Sequence, residues 1–368
     1  MKVNIKLLVT ILVIASFLTG CGFKDIDNRI FVTGIGIDPS ENEEGKYKVT
    51  LKLAIPVSTI QQEKEPSYQY LVHEGDNIEE AVRILETHTD KTLEFGHTKI
   101  ILVNEKLLEG DIKEFMDYLF RRGDIQTIAW VGAAKPTAEE ILRTEPKGES
   151  AVISPLSKFF GNVGTESPYI VSTYLYEFRR SFYSEGIDAV LPIVESNESG
   201  SQLIVNKSII VKEKRDSFHL SSSLTRDYNA LANNIGGYSV KLETDELNLV
   251  LNLINVNMKY NVNKKNDQPA SIKVNVKMDG VVSQSDKRLH VENLDEYSKL
   301  ASKEIKSELE KLFTMLQEEE LDPFGFGLKY RTMQLYEKDM FDKWEQAYPN
   351  LPFDLTVDVS LKSTGTIQ

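Results

Sequence analysis

Cys21 is the only thiol in 368 residues, and five histidines, His73, His88, His97, His219 and His290, supply the remaining imidazole chemistry. The histidines lack metal-ligand spacing, although His88 and His97 are close enough along the chain to meet in space. No HExxH, CxxC, phosphate-loop or GxSxG pattern occurs. Glu43-Glu44 and Glu318-Glu319-Glu320 fall in a turn and at a helix end, where carboxylates are solvated charge rather than a hydrolytic pair. The acidic run from Asp38 to Gly45 is oxygen-rich, but Pro39 and the missing alternation of ligands describe a solvated hairpin loop instead of a calcium site. Gly34-Ile35-Gly36 lacks the third glycine and following helix of a dinucleotide site, so it marks a strand approached closely by other backbone. Neither catalysis nor a metal or cofactor is expected from this inventory.

What remains is chemistry of contact. Arg121-Arg122 and Arg179-Arg180 are suited to gripping a carboxylate on a partner, though helix-end and surface charge account for both pairs as well. Phe324-Gly325-Phe326-Gly327 offers an aromatic contact or a hinge, against the competing reading of a packed turn after a long helix. Arg121, Arg122, Phe324, Phe326 and Trp344 are therefore the candidate partner contacts.

The elements that must position these residues divide the chain in two. In the first half, Ile30 to Ile37 predicts a strand, and the alternation from Tyr47 to Val57 predicts a hairpin partner with one buried and one wetter face. Gln61 to Ser67 reads as a loop. Asp76 with Glu79 resembles a capping box ahead of a helix burying Ile78, Ala81, Val82 and Leu85. Lys99 to Val103 is a buried strand, and a helix from Asp111 turns Ile112, Phe115, Met116, Leu119 and Phe120 inward. Thr127 to Ala133 is a strand, Thr137 and Glu140 cap a short helix, Ser172 to Tyr183 is an aromatic helix and Ala189 to Val194 a strand. This alternation is the grammar of an α/β layer.

Glu195 to Ser201 is the most linker-like stretch. Beyond it come β-rich runs at Leu203 to Val211, Ser217 to Leu220, Tyr238 to Leu242, Leu247 to Val262 and Ser271 to Val282. A short helix is expected from Thr225 to Asn233 and a long amphipathic one from Leu294 to Glu320, then a helix through Trp344 and a strand from Asp354 to Leu361. The expected fold is α+β and multi-domain: a mixed α/β domain over 29–195, with a sub-boundary near 146–168, and a domain over 202–368 whose mostly antiparallel sheet is packed by the long helix.

The N-terminus sets the location. Lys2 and Lys6 precede an apolar run from Leu7 to Leu18, too short for the ~20 residues that span a bilayer and typical of an export signal over 1–20. Leu18-Thr19-Gly20-Cys21 resembles a lipobox, which implies diacylation of Cys21, cleavage before it and a tether over 21–28. The thiol is then consumed, so no internal disulfide forms. Formal charge is −13, or −15 once Lys2 and Lys6 leave with the signal. That balance excludes a nucleic-acid partner and, taken over the whole chain, promises no electrostatic help from anionic lipid. Attachment would rest on the acyl chains, each buried methylene giving ~0.8 kcal/mol.

Several segments together resemble the Ger(x)C family of spore germination lipoproteins: Cys21 with Asp25-Ile26, Thr33-Gly34-Ile35-Gly36-Ile37-Asp38, Gly45-Lys46-Tyr47, Gly96-His97-Thr98-Lys99-Ile100, Arg121-Arg122-Gly123-Asp124-Ile125, Asp322-Pro323-Phe324-Gly325-Phe326-Gly327, Trp344 and Tyr348-Pro349. Many relatives carry a Trp directly after the lipobox cysteine, where this chain has Gly22-Phe23. The resemblance implies a non-enzymatic C subunit of a nutrient germinant receptor. Such a subunit is anchored to the outer face of the cytoplasmic membrane, the inner membrane of the spore, beside integral-membrane A and B subunits. A lipid-anchored solute-binding protein and, more remotely, a cell-wall hydrolase are the competing functions.

Overall fold

The computed structural model describes residues 28–42, 45–55, 68–109, 112–144, 156, 160–161, 167–197, 200–212, 215–243, 247–265, 268–333 and 339–364. Residues 1–27, with Cys21, the expected signal over 1–20 and all but the last residue of the expected tether over 21–28, lie outside the described residues, as do Asp111, Glu43 and Glu44.

Strands β1 (Arg29–Pro39), β2 (Tyr47–Ala54) and β3 (Tyr68–Gly75) lead into helix α1 (Ile78–Glu86), the short β4 (Thr92–Glu94) and β5 (Ile100–Asn104). Helix α2 (Lys113–Arg121), β6 (Trp130–Lys135), α3 (Ala138–Arg143), α4 (Leu175–Tyr183), β7 (Ala189–Ser196), β8 (Leu203–Val211) and β9 (Phe218–Leu220) follow. These strands form one sheet in the order β3-β2-β1-β5-β6-β7-β8-β9, with β4 paired to the start of β1. Its centre, β1-β5-β6-β7, is parallel, as helical crossovers require, and its flanks are antiparallel. One apolar cluster joins α1, α2 and α4 to one face, and a second, with Leu142, Leu156 and Phe160, covers the other.

Burial on both faces changes what the strands look like. β2 was expected to have a wetter side, yet Thr50 and Lys52 are as buried as Val49 and Leu51. Lys52 reaches its Nζ to the Leu142 carbonyl at 3.0 Å and over the Tyr68 ring, so its stem is covered while its charge keeps a partner. Tyr68–Gly75, a strand absent from the sequence reading, forms the edge beside β2. The helix cap is shifted by one residue: Asn77, not Asp76, caps α1, its side chain accepting from the Glu80 amide at 2.8 Å.

The Glu195–Ser201 stretch is the turn of the β7–β8 hairpin. Asn197 Oδ1 accepts from the Ser201 and Gln202 amides at 2.9 and 3.1 Å. The first sheet runs on through β9, and the polypeptide leaves it by α5 (Ser222–Asn233). The second sheet then follows: β10 (Tyr238–Glu243), β11 (Asn248–Lys265) and β12 (Gln268–Ser285), closed by β13 (Phe353–Leu361) parallel to β12. β11 and β12 pair from Leu249↔Ser285 to Lys265↔Gln268, so the loop expected over 263–268 is taken up largely by strand. Helix α6 (Leu294–Glu318) buries Tyr297, Ala301, Ile305, Leu309, Leu312, Phe313 and Leu316 against this sheet, while Leu300, expected on the same stripe, is half-buried. Helices α7 (Phe326–Thr332) and α8 (Met340–Ala347) complete the layer.

Candidate functional site at the junction of the sheets

Asp-Pro-Phe-Gly-Phe-Gly is a helix-start sequence: a carboxylate to accept amide hydrogens, and a glycine for backbone that other residues resist. Asp322 Oδ1 accepts from the Phe326 amide at 2.9 Å and Oδ2 from the Gly327 amide at 2.7 Å, capping α7, while Gly325 sits at φ +73°. The same residue is tied to the first sheet. Its amide donates to Asp188 Oδ2 at 2.6 Å, its carbonyl accepts from the Asp188 amide at 2.9 Å, and the Leu328 amide donates to the Gly186 carbonyl at 2.8 Å. Asp188 lies one residue before β7, so the lead-in to a central strand is laced to the start of α7.

Aromatic packing surrounds this lacing. Trp344 stacks between Tyr330 and Tyr348, at ring separations of 5.6 and 5.4 Å, and Phe324 and Phe326 pack with Phe313 of α6. The Tyr348 hydroxyl donates to the Leu321 carbonyl at 2.7 Å. Phe324, Phe326 and Trp344 are 7%, 0% and 2% exposed, so these candidate contacts are packing residues of the junction. Beside them opens a cleft of about 460 Å³ whose wall includes Asp188, Lys212, Arg215, Glu320, Trp344 and Glu345.

Burial pushes the Asp322 carboxyl up to about 7, against the pull of the Gly327 and Phe326 amides that favour its charged form. Burial likewise raises Asp188, opposed by Lys212. Both Asp322 oxygens are occupied by helix amides and the residue is 5% exposed, so the arrangement is a mechanical joint and offers no reagent to a substrate. Sequence reading flagged the Asp322 motif but missed Asp188, because a lone aspartate after Gly186-Ile187 carries no local signature.

The N-terminal glycine motif works by the same physics. Asp38, read as part of a solvated loop, is 2% exposed and accepts from the Ala138 and Glu139 amides at 2.7 and 3.0 Å and from Asn104 Nδ2 at 2.8 Å. It caps α3, and Gly34 and Gly36 make room for it: a Cβ at either position would lie 2.9 Å from a Leu142 methyl. The anticipated close approach at Gly34-Ile35-Gly36 is thus a helix lying on the strand.

The remaining sequence candidates separate. His88 packs against His73, with ring centroids 6.0 Å apart, and His97 against Phe31 at 4.5 Å, so His88 and His97 do not meet. Arg122 lies over the Phe95 ring at 3.7 Å and donates to the Tyr118 hydroxyl at 2.6 Å and to Asp124 at 2.8 Å. Arg121 reaches Asp117 at 2.7 Å on an exposed helix turn. The Arg121-Arg122 and Arg179-Arg180 pairs line one groove of about 760 Å³. No helix among the described residues is long and apolar enough to cross a membrane.

Comparison with known proteins follows this architecture through the whole chain. Residues 22–196 match the family model described as spore germination protein N-terminal domain, and residues 207–365 the one described as spore germination B3/GerAC like, C-terminal. The change-over falls in the β7–β8 hairpin, although the sheet itself is continuous there. The chain is 22% identical over 366 residues to the spore germination protein GerQC of Bacillus cereus, covering 97% of this chain and 98% of the relative. It is 23% identical over 410 residues to the spore germination protein KC of Bacillus subtilis (strain 168), covering 98% and 96%. The crystal structure of the GerBC protein has the same fold, with a TM-score of 0.54 at 16% identity over 90% of this chain and 96% of that one. With both halves matched in order and the fold shared, the chain belongs to the GerAC-like, or Ger(x)C, family of spore germination proteins.

Proposed function

We propose that this protein is the lipid-anchored C subunit of a nutrient germinant receptor. It is held by diacylated Cys21 on the outer face of the cytoplasmic membrane, which is the inner membrane of the spore. It acts without catalysis, through contacts with integral-membrane A and B subunits. The observation that carries this reading is the match of both family halves, over 22–196 and 207–365, directly behind Leu18-Thr19-Gly20-Cys21. The joint at Asp188 and Asp322 supports it, because a protein that transmits a signal through contact needs its two sheets to move as one body. The anchor serves concentration: confining the chain to the bilayer raises its effective concentration beside membrane partners without any new contact.

Cys21→Ala tests the anchor. The variant should leave the membrane fraction and lose the response of spores to the nutrient this receptor reads, while a membrane-bound, fully responsive variant would sink the reading. Co-purification of two membrane subunits with a tagged chain tests the assembly. A saturable rise in melting temperature on titration with amino acids or sugars would instead favour the solute-binding function.

A further inference from the structure

An overall charge of −13 conceals an uneven distribution. The groove where Arg121, Arg122, Arg179 and Arg180 converge has Asp117 as the one carboxylate in its lining. The Arg121–Asp117 pair joins side chains 79% and 51% exposed, where an ion pair does little to hold a charge in place. Arg122 is already committed to Asp124 at 2.8 Å, with Glu86 at 3.9 Å, so the outward charges of the groove are Arg121, Arg179 and Arg180. Glu177, beside the groove on α4, accepts from the Tyr174 amide at 3.0 Å and the Tyr176 hydroxyl at 3.1 Å. Arg179 and Arg180 are exposed, Arg179 lying over the Phe120 ring at 5.2 Å.

The same surface carries exposed apolar groups. Tyr176, Tyr183 and Ile128 are 43%, 47% and 58% exposed, three of the eight large hydrophobic side chains so exposed among the described residues. Tyr176 and Tyr183 line the groove itself, Tyr183 meeting the Phe120 ring at 5.8 Å, and Ile128 follows Thr127, whose carbonyl accepts from the Tyr176 amide at 3.0 Å.

Position decides what this surface faces. Arg122 covers Phe95, which follows β4, and β4 pairs with the first residues of β1, where the Thr92 amide donates to the Asn28 carbonyl at 2.9 Å. The groove therefore sits at the end of the sheet where the chain enters. Cys21 precedes Asn28 by seven residues, which extended reach at most about 25 Å. Arginines and tyrosines, with charged or hydroxyl tips on apolar bodies, are the side chains that settle at a bilayer surface.

We propose that this end of the first sheet is a membrane-facing surface, its exposed Arg121, Arg179 and Arg180 engaging the phosphates of anionic phospholipid headgroups while Tyr176, Tyr183 and Ile128 seat in the interface. It rests on the Cys21 anchor, and it gives the anchored domain a fixed face toward the bilayer in place of free rotation about a tether.

The test uses the full lipidated chain reconstituted on phosphatidylcholine vesicles with or without about 30 mol% phosphatidylglycerol, followed by vesicle flotation and amide hydrogen exchange. Exchange over 122–129 and 174–184 should slow about tenfold on the anionic vesicles alone, revert in about 0.5 M NaCl, and be lost in an Arg179→Glu/Arg180→Glu variant that floats and melts like the parent. Flotation with equal exchange on both vesicles overturns the membrane face and leaves the anchor standing. Protection that needs co-reconstituted membrane proteins, and not anionic lipid, overturns it in favour of an acidic protein surface. Failure to float on either vesicle overturns both readings.

Discussion

At residue scale, the chain's two glycine-bearing motifs are the same device used twice. In each, one buried aspartate caps a helix while glycine lets neighbouring backbone or side chains come within reach. A Cβ on Gly327 would lie 2.5 Å from Trp344 Nε1 and 2.7 Å from the Gly186 Cα, and the second of these is backbone that cannot swing aside. Gly327→Ala should therefore cost about 1–3 kcal/mol in denaturant unfolding, more than an alanine in an ordinary helix, where it would help. Asp322→Ala removes the acceptor of two α7 amides and of nothing in solvent, and should cost about 2–3 kcal/mol by the same measurement. If Asp322→Ala unfolds at the parent's denaturant midpoint, the cap is not what holds the junction. Neither effect is visible from composition: the sequence announces a turn, and only the packed neighbour makes its glycine irreplaceable.

At the scale of elements, amphipathic helices were the most legible parts. The spacing of α6 predicted most of its buried stripe, Leu300 staying half-buried and Gln317 being buried outside the apolar pattern, because a helix on a sheet must bury one side and wet the other. Strands in the first sheet were less so. β2 lies under helices on both faces, so Lys52 is buried with a carbonyl partner, and polar residues no longer mark the solvent side. β3 was missed since its Tyr-Gln-Tyr-Leu-Val-His-Glu-Gly lies on an edge and alternates weakly. Trp344 illustrates the opposite error, an aromatic taken for a surface contact that is stacked on two tyrosines in the core. Trp344→Ala should cost about 3–5 kcal/mol and weaken the tertiary circular dichroism signal. Loss of function in that variant would consequently report folding, whereas a variant of normal stability would place the tryptophan outside the core.

At the scale of the molecule, the joint between the sheets should make stability depend on pH. A carboxyl held up by burial binds its proton more tightly folded than unfolded. Its contribution is therefore full below the ordinary aspartate value near 3.8 and is lost as pH rises through the folded value of about 7. Asp188 is shifted in the same direction. Glu139, held below its usual value although burial opposes the pull of Lys48 and Arg143, loses its contribution only on acidification, outside this window. Melting temperature should consequently fall between pH 5 and pH 8, by the equivalent of about 2 kcal/mol, and Asp322→Asn should flatten that fall. A melting temperature that rises over this interval would show that the buried carboxyls are ionised without penalty. Coupling of the sheets through a group that titrates near neutrality is a property of the assembled chain alone.

The sequence by itself determined the class and the periodic elements, and carried the expectation of an anchored location. A lipobox-like N-terminus, a helix stripe and an alternating strand are local patterns, each written in fewer than thirty consecutive residues. Tertiary structure decided everything that depends on residues far apart in the chain. It laced Asp188 to Asp322, ran the first sheet through the stretch that composition marks as a linker, and buried Phe324, Phe326 and Trp344. It also brought two arginine pairs from α2 and α4 into one groove beside the chain's point of entry. The reason is physical: local sequence sets which backbone conformations are cheap, whereas burial and charge are set by which neighbours arrive, and those come from other strands and helices.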